Sequence, residues 1–362
     1  MSTKKRRPSF APRQTFGAAI KAIEKDYFKD GTSNKTSKRG DWRLWHKSAI
    51  LLTIFIVAYA LLVFSDINIW FKVVLVAVLA LTTASIGFNI GHDANHESFS
   101  EKKWVNDLFS LSFNLVGVDY FGWRTKHNVL HHTFTNIRGA DDDVNAPGLR
   151  FHEGQPWKPI HRYQWFYCWF LYGLLFIGWI VQNDLKKYLK RRINGYGWKI
   201  EKKNWLILIF TKIFHFLFFW IIPIIFLGWK QFLVGYIAYT LIVGFTTAIV
   251  FQMAHIVEKV TQPTFVEDVP LEEEWIEHEV ATTADFAPDN KVLSWFVGGL
   301  NFQIEHHLFP RVSHIHYKAL SFEVQKVCKE YGKPYNVYPT FRSAVASHFR
   351  KMVQLSKKPV LS

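Results

Sequence analysis

Histidines at repeated spacings are the side chains of this sequence that can carry out chemistry as a group. The 362 residues include 16 histidines, and seven of these fall in three short motifs. The motifs are GHDANH at 91–96, HNVLHH at 127–132 and QIEHH at 303–307. Helical positions four residues apart share one face, so His92 and His96 can reach one metal ion. The same spacing relates His127 to His131. Clustered neutral imidazoles suit iron, zinc or copper.

The number of histidines indicates more than one metal ion. A hydrolytic zinc site needs about three protein ligands, whereas His132, His306 and His307 bring the total here to seven. The HExxH pattern of zinc proteases does not occur in the sequence. The motifs therefore predict a site for two metal ions rather than a hydrolytic zinc.

Long apolar runs must position these motifs. Four runs are found at 47–64, 68–90, 205–228 and 231–254. At a rise of about 1.5 Å per residue, each can cross a hydrocarbon layer of about 30 Å as a helix. They form two hairpins, and each hairpin is followed by histidines. The sequence thus predicts an all-α integral membrane protein with four transmembrane helices.

The distribution of basic residues predicts the orientation. Lys and Arg are abundant before residue 47, between the two hairpins and after the last run, and almost missing from the short turns within each hairpin. The positive-inside rule then places both termini and the middle segment in the cytosol. We divide the chain into a basic cytosolic segment, a membrane domain and a C-terminal tail, at 1–46, 47–345 and 346–362.

Net charge and cysteine content limit which binding partners and which kinds of metal site the chain can have. The formal net charge is +15, which suits nucleic acid or an anionic membrane face. The apolar runs favour the membrane, and no zinc-finger or RNP-like motif points to nucleic acid. The two cysteines, Cys168 and Cys328, cannot supply a four-thiolate site. No apolar core closely follows the basic N-terminus, so we do not expect a cleaved signal peptide there.

The three motifs in this order, HDxxH, HxxxHH and QxxHH, resemble those of the membrane fatty acid desaturase family. The opening Gln303 resembles the front-end acyl desaturases of the delta-5, delta-6 and delta-8 type. Flanking residues fit as well, among them Asn136 in TN after the second motif and Pro310 in LFP after the third. The resemblance covers about 45–345. It implies four transmembrane helices under a cytosolic helical cap that holds a histidine-rich di-iron site.

The resemblance also implies site residues. It adds His255, just after the fourth run, as a further metal ligand. Gln303 and His278 are additional candidates for coordination, Gln303 because it stands where the stearoyl-CoA branch has a histidine. The implied histidine ligands are His92, His96, His127, His131, His132, His255, His306 and His307. The carboxylates that can accept the outer N–H of a metal-bound imidazole are Asp93, Glu97, Asp141, Asp143 and Glu305.

Two aromatic-rich stretches, 103–121 and 165–182, are predicted as helices at the membrane interface. Hydropathy alone would make 165–182 a fifth span. A single extra crossing would place His255 and the third motif on the opposite face from the first two motifs. One binuclear site could then not form, so four spans are the consistent number.

The function implied is an O2-dependent desaturase that uses two iron ions to introduce a cis double bond into an acyl chain. The acyl carrier is coenzyme A, acyl carrier protein or a glycerolipid. The sequence has no HPGG haem motif, so we expect a separate electron donor, a ferredoxin or cytochrome b5. The nearest alternative is a di-iron hydroxylase on the same scaffold. A non-catalytic membrane metal-binding protein is the alternative from a different class.

Overall fold

The regular structure is mostly helical. The computed structural model describes residues 7–29, 37–266 and 269–359. Within these residues, four helices are long and apolar enough to cross a membrane: Trp42–Phe64, Ile69–Asn95, Lys202–Leu227 and Trp229–His255. We call them the first to fourth apolar helices. Shorter helical segments are Thr15–Tyr27, Lys103–Ser110, Ser112–Leu115, Tyr120–Arg124, Thr125–His131, Pro159–Tyr163, Gln164–Gly173, Leu175–Gly178, Trp179–Asn183, Asp184–Lys190, Trp275–Thr282, Lys291–Phe296, Gln303–Leu308, His314–His316, Tyr317–Glu330 and Phe341–Ser356. Short strands pair Phe10–Ala11 with Leu271–Glu274, Arg192–Ile193 with Tyr196–Gly197, and Asp285–Phe286 with Val337–Tyr338.

The four apolar helices confirm the four predicted spans as apolar helices. The first begins at Trp42, five residues before the predicted start, because the Asp41 side chain caps it by accepting a hydrogen bond from the Arg43 backbone N–H. Their outer surfaces expose large apolar side chains, as a lipid-facing surface requires. Examples are Ile56, Phe71, Phe210 and Val234.

The second apolar helix continues past the predicted end at residue 90. A π-helical turn, Gly87–Gly91, carries the chain directly into His92–Asn95. Turns of this kind are frequent at functional sites. A Cβ on Gly91 would lie 2.5 Å from the Phe113 ring, so glycine lets this ring pack against the turn. The extension carries the first histidine motif at the end of a rigid helix.

The stretch predicted as an interfacial helix at 165–182 is part of a bent helix pair. Its two arms, Pro159–Gly173 and Leu175–Lys190, meet at an angle of 60°. The pair packs closely on the fourth apolar helix, where a Cβ on Gly244 would lie 2.2 Å from the Gly173 carbonyl oxygen. The other stretch, 103–121, is helical at Lys103–Ser110 and Ser112–Leu115 and turns at Gly117, whose φ is +95°.

Segments near both termini pack onto the rest of the chain. Helix Thr15–Tyr27 buries Phe16 and Ile20 in one apolar cluster with Leu320 and Val324. Near the other terminus, helix Phe341–Ser356 runs across the boundary predicted at 345/346. It buries Met352 and Leu355 against the bent helix pair. The described part of the segment predicted as a tail is therefore folded, because its apolar residues form one face of an amphipathic helix.

Candidate metal centre

The three sequence motifs and His255 converge in one buried region. None of the eight predicted histidine ligands is more than 6% exposed. Among the described residues, four groups of side chains have ligand atoms within 4.8 Å of one another, and two of these groups consist of histidines and share no residue. Cluster 1 consists of His92, His96, His127 and His306, and cluster 2 consists of His131, His255 and His307. His132 groups with His306 and His307 under the same limit, so its ring lies between the clusters.

Cluster 1 is assembled from three separate helical segments. The second apolar helix supplies His92 in its last turn and His96 just after it. The π-helical segment Thr125–His131 supplies His127, and the short helix Gln303–Leu308 supplies His306. The ring centroids of His92 and His306 are 4.5 Å apart although the residues are far apart in sequence. Tertiary packing, rather than local spacing alone, therefore builds this cluster.

Cluster 2 forms where the fourth apolar helix ends. His255 is the last residue of that helix. Its ring centroid is 4.7 Å from that of His131 and 5.0 Å from that of His307. Asn136 fixes this junction, because its side-chain amide donates to the carbonyl oxygens of His255 and Thr282 at 2.9 and 3.1 Å.

The outer ring nitrogens of several histidines have polar partners. Nδ1 of His131 lies 3.0 Å from an Asp141 oxygen, and Nδ1 of His307 lies 2.7 Å from an oxygen of Glu279. Nδ1 of His306 lies 3.2 Å from the hydroxyl of Tyr317. Metal-binding imidazoles are typically held in this way, through the nitrogen that does not bind the metal.

Several inner ring nitrogens lack partners among the described residues. Among the described residues, no hydrogen-bond partner is found for the buried Nε2 atoms of His96, His255, His306 and His307. Buried polar atoms are nearly always satisfied in native proteins. Orphaned imidazole nitrogens that face one another fit metal ligation, and a set of neutral nitrogen donors fits iron, zinc or copper. The histidines of cluster 1 and cluster 2 are therefore suited to binding two metal ions.

Electrostatics keep most of these rings neutral. Burial, and after it the neighbouring imidazoles, lower the pKa of His127, His132, His306 and His307 well below its usual value. A neutral imidazole is the form that ligates a metal. Burial alone would also lower the pKa of His131, but the Asp141 carboxylate beside it raises that pKa above the ordinary value.

Three of the predicted carboxylates lie beside the clusters. Asp141 contacts His131, and Asp143 lies 3.5 Å from the same Nδ1 atom. Asp93 lies 3.9 Å from Nδ1 of His92. Its closer partner is His314, whose Nδ1 is 2.9 Å away. Asp93 therefore connects the first motif to the chain after the third.

The other two predicted carboxylates have different partners. Glu97 faces the surface and pairs with Arg311 at 3.7 Å. Glu305 is fully buried and accepts a hydrogen bond from the hydroxyl of Tyr335 at 3.0 Å; the same hydroxyl donates to Asp285 at 2.6 Å. Burial raises the pKa of Glu305 well above its usual value. Within the part of the chain that the structure describes, neither carboxylate is hydrogen-bonded to a cluster histidine.

The two additional ligand candidates occupy different environments. Gln303 is buried on the same helix as His306 and His307, and its side-chain amide donates to the Leu300 carbonyl at 2.8 Å. His278 is fully buried, and its ring lies 5.1 Å from that of Phe10. Among the described residues, His278 belongs to neither histidine cluster.

Glu279 and Tyr317 contact the site, but no sequence motif indicates them. Both are buried, and each holds the outer nitrogen of one histidine of the third motif. Glu279 is adjacent to the predicted candidate His278. The helix Trp275–Thr282 turns Glu279, not His278, toward the histidines. Burial raises the pKa of Glu279 well above its usual value, and a nearby cation would favour its ionised form.

A cavity of about 900 Å³ opens beside the clusters. His127, His131 and His255 form part of its wall. Apolar and aromatic side chains line the adjoining wall, including Trp123, Leu171, Leu175, Trp179, Ala248 and Phe251. This volume lies in the range of small-molecule sites, about 300–1,000 Å³. The arrangement can hold an apolar chain next to the two histidine clusters.

Comparisons with known proteins agree with this geometry. A family model described as fatty acid desaturase matches residues 68–339. The chain is 33% identical to an sn-1 linoleoyl-lipid 6-desaturase of Arthrospira platensis over 329 residues, 89% of this chain and 88% of that protein. It is 34% identical to an acyl-lipid (8-3)-desaturase of Physcomitrium patens over 347 residues, 94% of this chain and 71% of that protein. The predicted resemblance is confirmed: the chain belongs to the fatty acid desaturase family and is an oxidoreductase that desaturates acyl chains.

Proposed function

We propose that this enzyme is an O2-dependent front-end desaturase that contains two irons and acts on acyl chains carried by a membrane glycerolipid. Two relatives are named as sn-1 linoleoyl-lipid 6-desaturase and acyl-lipid (8-3)-desaturase. These names support a lipid carrier for the acyl chain and a new double bond near the carboxyl end of that chain. The observation that carries the proposal is the pair of buried histidine clusters at the wall of a cavity that apolar side chains partly line.

Two iron ions would be held by cluster 1 and cluster 2, with His132 between them. Bound there, they would supply the O2-derived oxidising power needed to remove hydrogen from an unactivated methylene. The task of the protein is to prepare the ligands. Asp141 and Glu279 hold the protons of His131 and His307 at Nδ1 and leave Nε2 directed inward.

The cavity wall positions the substrate. Trp123 and Phe251 lie in the wall together with His127 and His131. Apolar walls exclude water from the reacting carbons and restrict the acyl chain to a few positions. Because adjacent methylenes of an acyl chain are chemically alike, this placement determines which C–H bonds react.

The membrane arrangement we propose has four spans, with both termini and the metal centre on the cytosolic side. The excess of Lys and Arg outside the hairpin turns supports this orientation. The bent helix pair then enters the interface and leaves on the same side, as the 60° bend permits. Electrons would come from a cytosolic ferredoxin or cytochrome b5.

The test is a product analysis in a host that lacks this activity. Cells expressing the chain are given a fatty acid with an existing double bond, and their lipids are analysed by gas chromatography–mass spectrometry. We expect a new cis double bond between the existing one and the carboxyl group. The His131→Ala variant, expressed at the same level, is the control and should yield none. A hydroxylated product from the wild-type chain would refute desaturation as the outcome.

A further inference from the structure

The cavity beside the metal centre has a polar end as well as an apolar one. Along the arm Leu175–Lys190, the residues that line the cavity change from apolar to polar: Leu175 and Trp179 come first, then Gln182 and Asn183, and then the cationic side chains. The cationic residues along its wall are Lys126, Lys186, Lys187, Lys190 and Arg192. We call Lys186, Lys187 and Lys190 the lysine rim. An acyl chain in the apolar part would have its head near this rim.

Carboxylates neutralise only part of the positive charge. Three aspartates line the same cavity, at positions 141, 142 and 143. Asp143 forms an ion pair with Lys126, and Asp141 contacts His131. Asp142 lies 3.7 Å from Lys187. Within residues 7–29, 37–266 and 269–359, no ion pair holds Lys186 or Lys190, so both ammonium groups are available to an anion.

The helix that carries the lysine rim has an exposed apolar stripe. Val181, Leu185 and Leu189 follow one another at intervals of four residues and are 61%, 47% and 68% exposed. Such a stripe beside lysines is typical of a helix that lies in the membrane interface. Lysine side chains next to it extend toward the level of the lipid headgroups. With this helix in the interface, the lysine rim would lie at the depth where lipid phosphates are found.

We propose that the lysine rim binds the phosphate of a glycerophospholipid whose acyl chain occupies the cavity. This inference rests on the proposed desaturase function and specifies the class of its substrate. Charge-assisted hydrogen bonds from ammonium to phosphate are among the stronger polar contacts. Acyl-coenzyme A also carries phosphate, but the apolar stripe favours a substrate that approaches from within the bilayer. Neutral glycolipids would not use these lysines.

The test compares headgroups that carry the same acyl chain. The purified full-length enzyme, supplied with a reducing system, receives that chain on phosphatidylcholine, on monogalactosyldiacylglycerol or on coenzyme A. We expect the wild-type enzyme to have its highest kcat/KM on phosphatidylcholine. The Lys186→Gln/Lys190→Gln variant should show a KM for phosphatidylcholine raised about tenfold, with a much smaller change on the galactolipid.

A matched control removes two exposed lysines elsewhere. The Lys326→Gln/Lys329→Gln variant changes helix Tyr317–Glu330, whose lysines do not line the cavity, and it should behave as wild type. Iron content, measured in parallel, should be equal in all three proteins, which separates headgroup binding from damage to the metal centre.

Three outcomes would overturn the inference. These are a wild-type preference for the galactolipid, a wild-type preference for acyl-coenzyme A, and an equal loss on every headgroup in the rim variant. A wild-type enzyme that forms no double bond with any carrier would instead refute the proposed function itself.

Discussion

The Nδ1 atom of His307 lies 2.7 Å from an Oε2 atom of Glu279, and both side chains are completely buried. The Thr135 hydroxyl donates to the same carboxylate oxygen at 2.8 Å. Thr135 follows the second histidine motif, Glu279 lies after the fourth apolar helix and His307 ends the third motif. One carboxylate therefore joins three distant parts of the chain at cluster 2.

This relationship predicts a loss of iron in the Glu279→Gln variant. The amide keeps the size of the side chain but accepts a hydrogen bond less strongly, so the ring of His307 is less well oriented and is a weaker ligand. Residues that support metal ligands typically contribute about 10- to 100-fold in metal affinity or activity. Iron affinity, measured by competition with a chelator, should decrease by a factor in this range.

The Glu277→Gln variant is the matched control for Glu279. Glu277 lies on the same short helix but pairs with Lys333 away from the clusters. It should retain wild-type iron content. An equal loss of iron in both variants would show that the helix, rather than the carboxylate beside His307, is responsible.

A smaller effect is expected for Tyr317→Phe. The Tyr317 hydroxyl lies 3.2 Å from Nδ1 of His306, and a neutral hydrogen bond contributes about 1 kcal/mol. Iron affinity should fall about fivefold. The control is Tyr331→Phe, at the end of the same helix, which should leave the iron affinity unchanged. Unaltered iron affinity in Tyr317→Phe would exclude a role for this hydroxyl in orienting His306.

Local spacing predicts which histidines can share one face of a helix. His92 and His96, one helical turn apart, could be assigned to one cluster because a helix fixes their relation. The sequence could not show that His127 joins His92 whereas His131 joins His255, since that division depends on how separate helices pack. Glu279 was missed for the same reason: only the tertiary arrangement reveals which residue of helix Trp275–Thr282 faces the histidines.

The apolar helices were predictable because their length and composition are constrained by the membrane. The ends of these helices were harder to predict than their existence. The first starts early because Asp41 caps it, and the second continues through the π-helical turn Gly87–Gly91. Helix Phe341–Ser356 crosses the predicted boundary of the tail, because its apolar residues alternate with polar ones and do not form a continuous apolar run.

Substitutions of Gln303 test whether this residue belongs to the metal centre. It is buried on the helix that carries His306 and His307. If its oxygen faces a metal, Gln303→His should retain bound iron because imidazole is also a ligand. Gln303→Ile should lose most activity, since it can neither coordinate nor form hydrogen bonds. Turnover and iron content of the two variants are compared; an active, iron-replete Gln303→Ile enzyme would falsify a metal-site role.

Accessibility tags test the proposed topology. Tags at the N-terminus, near residue 150 and at the C-terminus should all be protected in sealed right-side-out vesicles, because the positive-inside rule places these segments in the cytosol. A tag near residue 66, in the turn of the first hairpin, should be accessible from outside. External labelling near residue 150 would contradict the four-span arrangement.

Cluster 1 and cluster 2 are each proposed to hold one iron. The most direct measurement is the metal content per chain of the purified wild-type enzyme and of His131→Ala, determined by plasma mass spectrometry. We predict about two irons per wild-type chain, and a clear loss of iron together with all desaturation in His131→Ala. A wild-type chain that holds a single metal or zinc, or a His131→Ala enzyme with full iron content and activity, would show that the two clusters do not form the proposed di-iron centre.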